Sequence, residues 1–326
     1  MPEFVEAFAR QLALGTLMQS FYAFTLVLVR MAGLMTIGPI FGQRLVPINV
    51  RVLLVFTMAV LITPTLPRQT ARGFARLDTN RDGRLIRDEV PQQLRPRFER
   101  LLKRADKQPE GFLTAAEYEF SVLQLAIPPT FMDYAWVAVG EFSLGLVLGV
   151  GVLIILSGLQ LAGELIDQQT GLSLGEISNP GLEINGSITG QFLFLFGTTL
   201  LLVMEPLNGH LMMVGSLVET FQTLPVGEAG LASSTVDLLN TLVHQSLMLG
   251  IRVAAPLLAV MSLVALTMGF LGHTVPQLNV LVIGFPVRAS VSLVVLGFVI
   301  AGAADQIVVA LPETIDTLRG NLSGLE

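Results

Sequence analysis

The sequence predicts an all-α, multi-helix integral membrane protein of helical hairpins, interrupted by one soluble α-helical insert. Three observations carry that reading. Only 13% of the 326 residues are charged, against roughly 25% in a soluble domain. Long apolar runs recur along the chain, as membrane helices require. The charge is also concentrated: Leu66 to Phe120 holds 12 Lys+Arg and 9 Asp+Glu, leaving 7 and 16 for everything else. A basic module therefore sits inside an oily, acidic chain, and no nucleic acid is expected as a partner. There is no cysteine, which excludes disulfides, thiol nucleophiles and thiolate metal sites. The opening MPEFVEAFARQ has no basic n-region leading to an A-x-A site, so no signal peptide is expected.

The elements follow in order. Residues 1–67 read as a first membrane hairpin. Its first run, Leu12 to Phe41, carries Arg30 mid-way and ends at Gly38-Pro39. A turn from Gly42 to Arg51 contains Arg44, Pro47 and Arg51. The second run, Val52 to Leu66, has 15 residues, about 22 Å as helix. That falls short of a bilayer core of about 30 Å, so it is expected to lean on protein rather than span alone. Arg44 and Arg51 mark the turn as cytoplasmic, which puts the following insert, 68–127, on the extracytoplasmic side.

Residues 128–326 read as the main membrane region. Phe131 to Leu161 is a third run, with Glu141 inside and a Gly145-x-x-x-Gly149 spacing that permits close helix approach. It gives way to a polar, glycine-rich stretch, 163–180. Irregular backbone is not tolerated against lipid, so this loop lies outside the hydrocarbon or lines a protein cavity. A fourth run, Ile188 to Phe221, is expected to kink or split at Glu205-Pro206. Leu224-Pro225 is a turn. Val236 to Leu271, holding Arg252 and Pro256, is the fifth run, and Val280 to Leu311 the sixth, with a short polar tail after it.

Charges in or beside these runs are Arg30, Glu141, Glu205, Arg252 and Asp305. At bilayer depth each costs several kcal/mol unless paired or wetted. Residues near helix ends can reach the interface instead. For Arg30 and Glu141, which lie deepest, pairing between helices or subunits is the better reading, though the partners are not assignable from sequence.

Chemistry is sparse. Gly171-Leu172-Ser173-Leu174-Gly175 fits the G-x-S-x-G nucleophile elbow, but that motif works on a strand-to-helix turn, and here apolar helices flank it. A loop using glycine for backbone freedom is the better account. His210, His244 and His273 share no metal-binding spacing. The insert is different. Asp78-Thr-Asn80-Arg-Asp82-Gly83-Arg84-Leu85-Ile86-Arg-Asp88-Glu89 satisfies D-x-[DN]-x-[DN]-G-x5-E in full. This makes the insert an EF-hand-like α-helical pair. A Ca2+ ion would take the side chains of Asp78, Asn80 and Asp82, the Arg84 carbonyl and a bidentate Glu89. Leu85 is placed to pair with a second loop, Asp106 to Glu117. That loop is degraded, with Gln108 and Glu110 for the usual short acids and Pro109 stiffening it.

Several stretches together resemble the FliR family, the T-subunit of type III secretion export gates. They are Val29-Arg30-Met-Ala-Gly33 through Gly38-Pro39-Ile-Phe41-Gly42; Gln160-Leu-Ala-Gly163-Glu164-Leu-Ile-Asp167-Gln168-Gln169-Thr-Gly171, closing at Asn179-Pro180; Asn208-Gly209-His210; and Gly250-Ile-Arg252-Val-Ala-Ala-Pro256 followed by Val275-Pro276-Gln277-Leu278-Asn279 and Gly284-Phe285-Pro286. The insert departs from the family pattern, as does Gly272-His273, where an arginine usually stands. The resemblance implies a non-enzymatic gate subunit of the bacterial inner membrane, in a flagellar basal body or injectisome. P-type and Q-type subunits would be its partners in the gate, with a B-type switch subunit and an A-type export ring on the cytoplasmic side. Unfolded proteins would be the cargo. The family's loop matching Gly163, Gly171, Leu172, Ser173, Gly175 and Asn179 would plug the closed pore. A rival from another class is a secondary transporter or channel regulated by calcium, with broken helices and midplane charges. The absence of paired halves with matching breaks weighs against it.

Overall fold

A computed structural model describes residues 2–39, 42, 46–105, 111–123, 128, 130–171, 187–203, 208–229, 233–275 and 280–323. The chain is an all-α multi-helix membrane protein, with five described helices long and apolar enough to cross a membrane. It divides into two compact units, one made of Met1–Val150, Leu211–Leu238 and Ile315–Glu326, the other of Gly151–His210 and Leu239–Thr314.

In the first unit, α1 (Pro2–Ile37) and α2 (Ile48–Ile62) pack as a hairpin, with Phe24 edge-on to Phe56 at 5.6 Å. Helix α2 starts four residues before the expected apolar run. Pro47 caps it with φ −56°, and the Arg51 Nε donates back to the Val46 carbonyl at 3.0 Å. The arginine therefore lies within the helix, folded onto its start, instead of closing the turn before it. With the 3-10 turn Thr63–Thr65 the span reaches 18 residues, so the expected shortfall is corrected.

The insert follows as α3 (Leu66–Leu77), β1 (Arg84–Ile86), α4 (Arg95–Arg104), β2 (Phe112–Thr114) and α5 (Ala115–Leu123). The two strands pair antiparallel with Leu85 opposite Leu113. Both leucines are fully buried in a core with Phe74, Leu77, Phe98, Leu101 and Tyr118. Apolar burial of this kind gives about 1.5–3 kcal/mol per large side chain, so the insert has a core of its own.

Helix α6 (Phe131–Thr170) runs 40 residues. Against its first half, Gly33 of α1 faces the Phe142 carbonyl and Gly145 faces the Arg30 carbonyl; a Cβ at either would strike that backbone. The small residues let the two helices approach closely, at the level where Arg30 and Glu141 sit. Helix α6 does not end near Leu161 as expected. It carries Glu164, Asp167, Gln168 and Gln169 as helix, and stops at Gly171, whose φ of +82° suits glycine.

The fourth run splits as expected, into α7 (Ile188–Val203) and α8 (Gly209–Thr223). Helix α9 (Ser233–Thr274) passes through Pro256 without interruption, and α10 (Val280–Ser323) through Pro286 and Pro312. The expected polar tail after Leu311 is helical to Ser323. Ile315 and Leu318 are buried there, and Arg319 pairs with Asp316 at 3.2 Å and Glu219 at 3.3 Å. The apolar windows of α2 and α10 are only 17% buried and that of α9 28%, against 61% for α6. Phe270, Leu293 and Phe298 thus face outward, surface that needs lipid or a protein partner to cover it.

Candidate functional site

Arg30 and Glu141 meet in the first unit, both with zero exposure, at 2.5 Å between Nε and Oε2. Helix α1 brings the arginine and α6 the glutamate. Each guanidinium nitrogen and each carboxylate oxygen has a partner. Arg30 Nη1 donates to Thr220 Oγ1 at 2.9 Å and Nη2 to the Leu224 carbonyl at 3.0 Å. Its guanidinium lies over the Phe221 ring, 4.1 Å from the centroid, a cation–π contact. The other glutamate oxygen accepts from Gly227 N–H at 2.6 Å. Stripping one partner from such a buried pair costs several kcal/mol, because the other charge is left uncompensated.

The turn after α8 is gripped a second time. Arg97 of the insert, 5% exposed, donates from Nε to Glu228 at 2.7 Å and from Nη1 to the Thr223 carbonyl, with Nη2 3.4 Å from the Tyr118 hydroxyl. Two buried arginines therefore hold the Thr223–Glu228 turn, one from the membrane helices and one from the insert. Gly73 on α3 meets the Gln222 carbonyl with no room for a Cβ, and Arg76 pairs with Glu219 at 2.5 Å. Sequence reasoning missed Arg97, because nothing distinguishes it from the other arginines crowded into the insert.

The Asp78–Glu89 loop folds around its own backbone. Asp78 Oδ2 accepts from Gly83 N–H at 3.0 Å, Asp82 Oδ1 from Arg84 N–H at 2.7 Å, and Asn80 Oδ1 from Asp82 N–H at 2.8 Å. Glu89 spans the loop, one oxygen 3.4 Å from Asn80 N and the other 3.1 Å from Ile86 N. Gly83 has φ +76°, the sharp turn for which glycine is wanted. Among the described residues no three acidic or histidine side chains form a preassembled metal cluster; these carboxylates are turned onto N–H groups. In the second loop, residues 106–110 lie outside the described residues, while Gly111 has φ +73° and Glu117 accepts from Thr114 N–H at 3.0 Å.

The stem of the central stretch is also defined. Asp167, 3% exposed, accepts from Ser187 Oγ at 2.6 Å and Thr189 N–H at 3.2 Å. The end of α6 and the start of α7 are thus tied together on either side of residues 172–186. Gly163 faces the Gly190 backbone in the same unit. Of the expected plug residues, Gly163 and Gly171 belong to helix α6 and its end, while Leu172, Ser173, Gly175 and Asn179 lie outside the described residues, as does Glu205. Arg252 stood among the charges expected to be buried in the apolar runs, with Arg30, Glu141 and Glu205. It is exposed on α9 beside a cavity of about 360 Å³ lined also by His244, Gln245, Gln306 and Glu313. The arginine is long enough to keep its head at that opening.

The family model for bacterial export proteins, family 1, matches residues 21–313. The chain is 31% identical over 166 residues to the flagellar biosynthetic protein FliR of Escherichia coli, covering 51% of this chain and 62% of that protein. It is 29% identical over 199 residues to FliR of Bacillus subtilis, covering 58% and 73%. With the Yop proteins translocation protein T of Yersinia pestis the identity is 28% over 154 residues, covering 47% and 58%. The chain thus spans a little under two thirds of the Escherichia coli relative's length.

Proposed function

The chain belongs to the bacterial export proteins, family 1, and we propose that it is an inner-membrane subunit of a flagellar or type III protein export apparatus. The observation that carries this reading is the extent of the family match, which runs across both flanks of the insert. The names of its relatives, flagellar FliR and a Yop translocation protein, support both kinds of apparatus. The outward-facing apolar surface of α2, α9 and α10 supports burial in lipid or against other subunits.

In this reading the protein performs no chemistry itself. It joins P- and Q-type subunits in the gate, with B- and A-type components on the cytoplasmic side and unfolded proteins as cargo. The stretch following Gly171 closes the pore, held at its two ends by Asp167 and Ser187. Residues 68–127 face the extracytoplasmic side, following Arg44 and Arg51 at the first turn.

The test is affinity purification of the tagged chain after co-expression with P- and Q-type subunits. The reading predicts a stable complex containing all three. Recovery of this chain alone, together with solute transport by the lone chain in liposomes, would replace the gate by a transporter.

A further inference from the structure

We propose that the Asp78–Glu89 loop is a binding site for one hard divalent cation, calcium in preference to magnesium. This stands apart from the export reading, because it rests on oxygen chemistry within the insert. The decisive observation is Asp78. Its residue is 7% exposed, its Oδ2 is engaged inside the loop by Gly83 N–H, and its Oδ1 is buried with no hydrogen-bond partner. A buried carboxylate oxygen left unpartnered is costly, and a cation in the loop would remove that cost.

Among the described residues no protein cation fills the role. The neighbouring arginines are turned elsewhere: Arg76 to Glu219 at 2.5 Å, Arg87 to Glu99 at 3.1 Å, and Arg84 over the Phe112 ring at 4.9 Å. Among the described residues, no salt bridge reaches Asp78, Asp82 or Glu89. The donor set is all oxygen: Asp78, Asn80, Asp82, the Arg84 carbonyl and Glu89. Oxygen-only sets suit hard cations, and a loop contributing two oxygens from one glutamate suits calcium, which accepts six to eight ligands in a flexible shell. Magnesium demands a tight octahedron and sheds water reluctantly. Ile86 offers no side-chain ligand, which leaves that vertex to water. The pairing of Leu85 with Leu113 fixes the loop's exit strand against a buried partner. On binding, Glu89 would exchange the amides of Asn80 and Ile86 for the ion. The basic surroundings weaken attraction, so the affinity expected is roughly 10⁻⁵ to 10⁻³ M.

The experiment is calorimetric titration of calcium and of magnesium into the full chain, purified in detergent and stripped with chelator. One calcium per chain is expected, with magnesium at least about tenfold weaker. Glu89→Gln and Asp82→Asn should each weaken calcium by about tenfold or more. Asp82→Asn keeps an acceptor for Arg84 N–H, so it remains informative if Glu89→Gln does not fold. Glu99→Gln, an acid of the same insert paired to Arg87, should leave the affinity unchanged. Absence of saturable calcium heat at millimolar concentration, equal affinity for magnesium, or unchanged calcium binding in both loop variants would overturn the proposal.

Discussion

Replacing Glu141 by glutamine tests how the membrane helices are locked. The two carboxylate oxygens face two donors, Arg30 Nε at 2.5 Å and Gly227 N–H at 2.6 Å. A glutamine has one acceptor, so its NH2 must meet a donor whichever way the amide is turned. Arg30 would also keep its charge at zero exposure with only neutral neighbours, Thr220, the Leu224 carbonyl and the Phe221 ring. Stripping one partner from a buried pair costs about 3–5 kcal/mol, a shift of two to three and a half orders of magnitude in the folding equilibrium at about 1.4 kcal/mol per tenfold. The double variant Arg30→Met with Glu141→Leu behaves differently. Apolar replacement of a buried pair is neutral or stabilising by about 1–4 kcal/mol. Against that, the Leu224 carbonyl and Gly227 N–H lose their partners, at about 1–3 kcal/mol each. The double variant should therefore lie about 2 kcal/mol below wild type at the centre of these ranges, and above Glu141→Gln at about 4 kcal/mol below. Denaturant unfolding of the full chain in one detergent measures this, followed by fluorescence of Trp136, the only tryptophan. A Glu141→Gln variant within about 0.5 kcal/mol of wild type, or a double variant no more stable than the single, would refute the argument.

Three further outcomes follow from the same packing. Gly145→Ala puts a Cβ onto the Arg30 carbonyl and should lower stability by about 1–3 kcal/mol, seen as a lower unfolding midpoint. Arg97→Ala leaves Glu228 and the Thr223 carbonyl without their guanidinium; hydrogen exchange of the Thr223–Glu228 turn should rise by at least tenfold, while exchange in α9 should hold. If calcium binds the loop, a concentration of 100 times Kd should stabilise the chain by about 2.7 kcal/mol, and chelator or Glu89→Gln should abolish that gain in melting temperature.

The helices were legible in the sequence wherever an apolar run was bounded by backbone-altering residues. Pro47 and Gly171 mark true ends, and the split around Glu205-Pro206 falls where expected, with α7 ending at Val203 and α8 starting at Gly209. Polarity was the poorer guide. Asp167 looks like loop but stays helical, and its Oδ2 accepts from Ser187 and Thr189 at the start of α7. The segment after Leu311 looks like a tail, yet Ile315 and Leu318 bury one face of it. Arg30 and Glu141 stood out as charges in oil; their pairing spans 111 positions, and no local pattern encodes a contact at that range. Arg97 was invisible for the opposite reason, since a charged insert hides a buried arginine among its many exposed charges.

The central claim is that this chain is part of a protein export gate. The most direct measurement is the amount of export substrate released into the medium by cells deleted for the gene and complemented with variants of it. The account predicts that deletion abolishes secretion, that the wild-type chain restores it, and that Ser173→Ala restores it equally, because no nucleophile is required. Undiminished secretion in the deletion strain, or a complete loss with Ser173→Ala in a chain that still reaches the membrane, would contradict it.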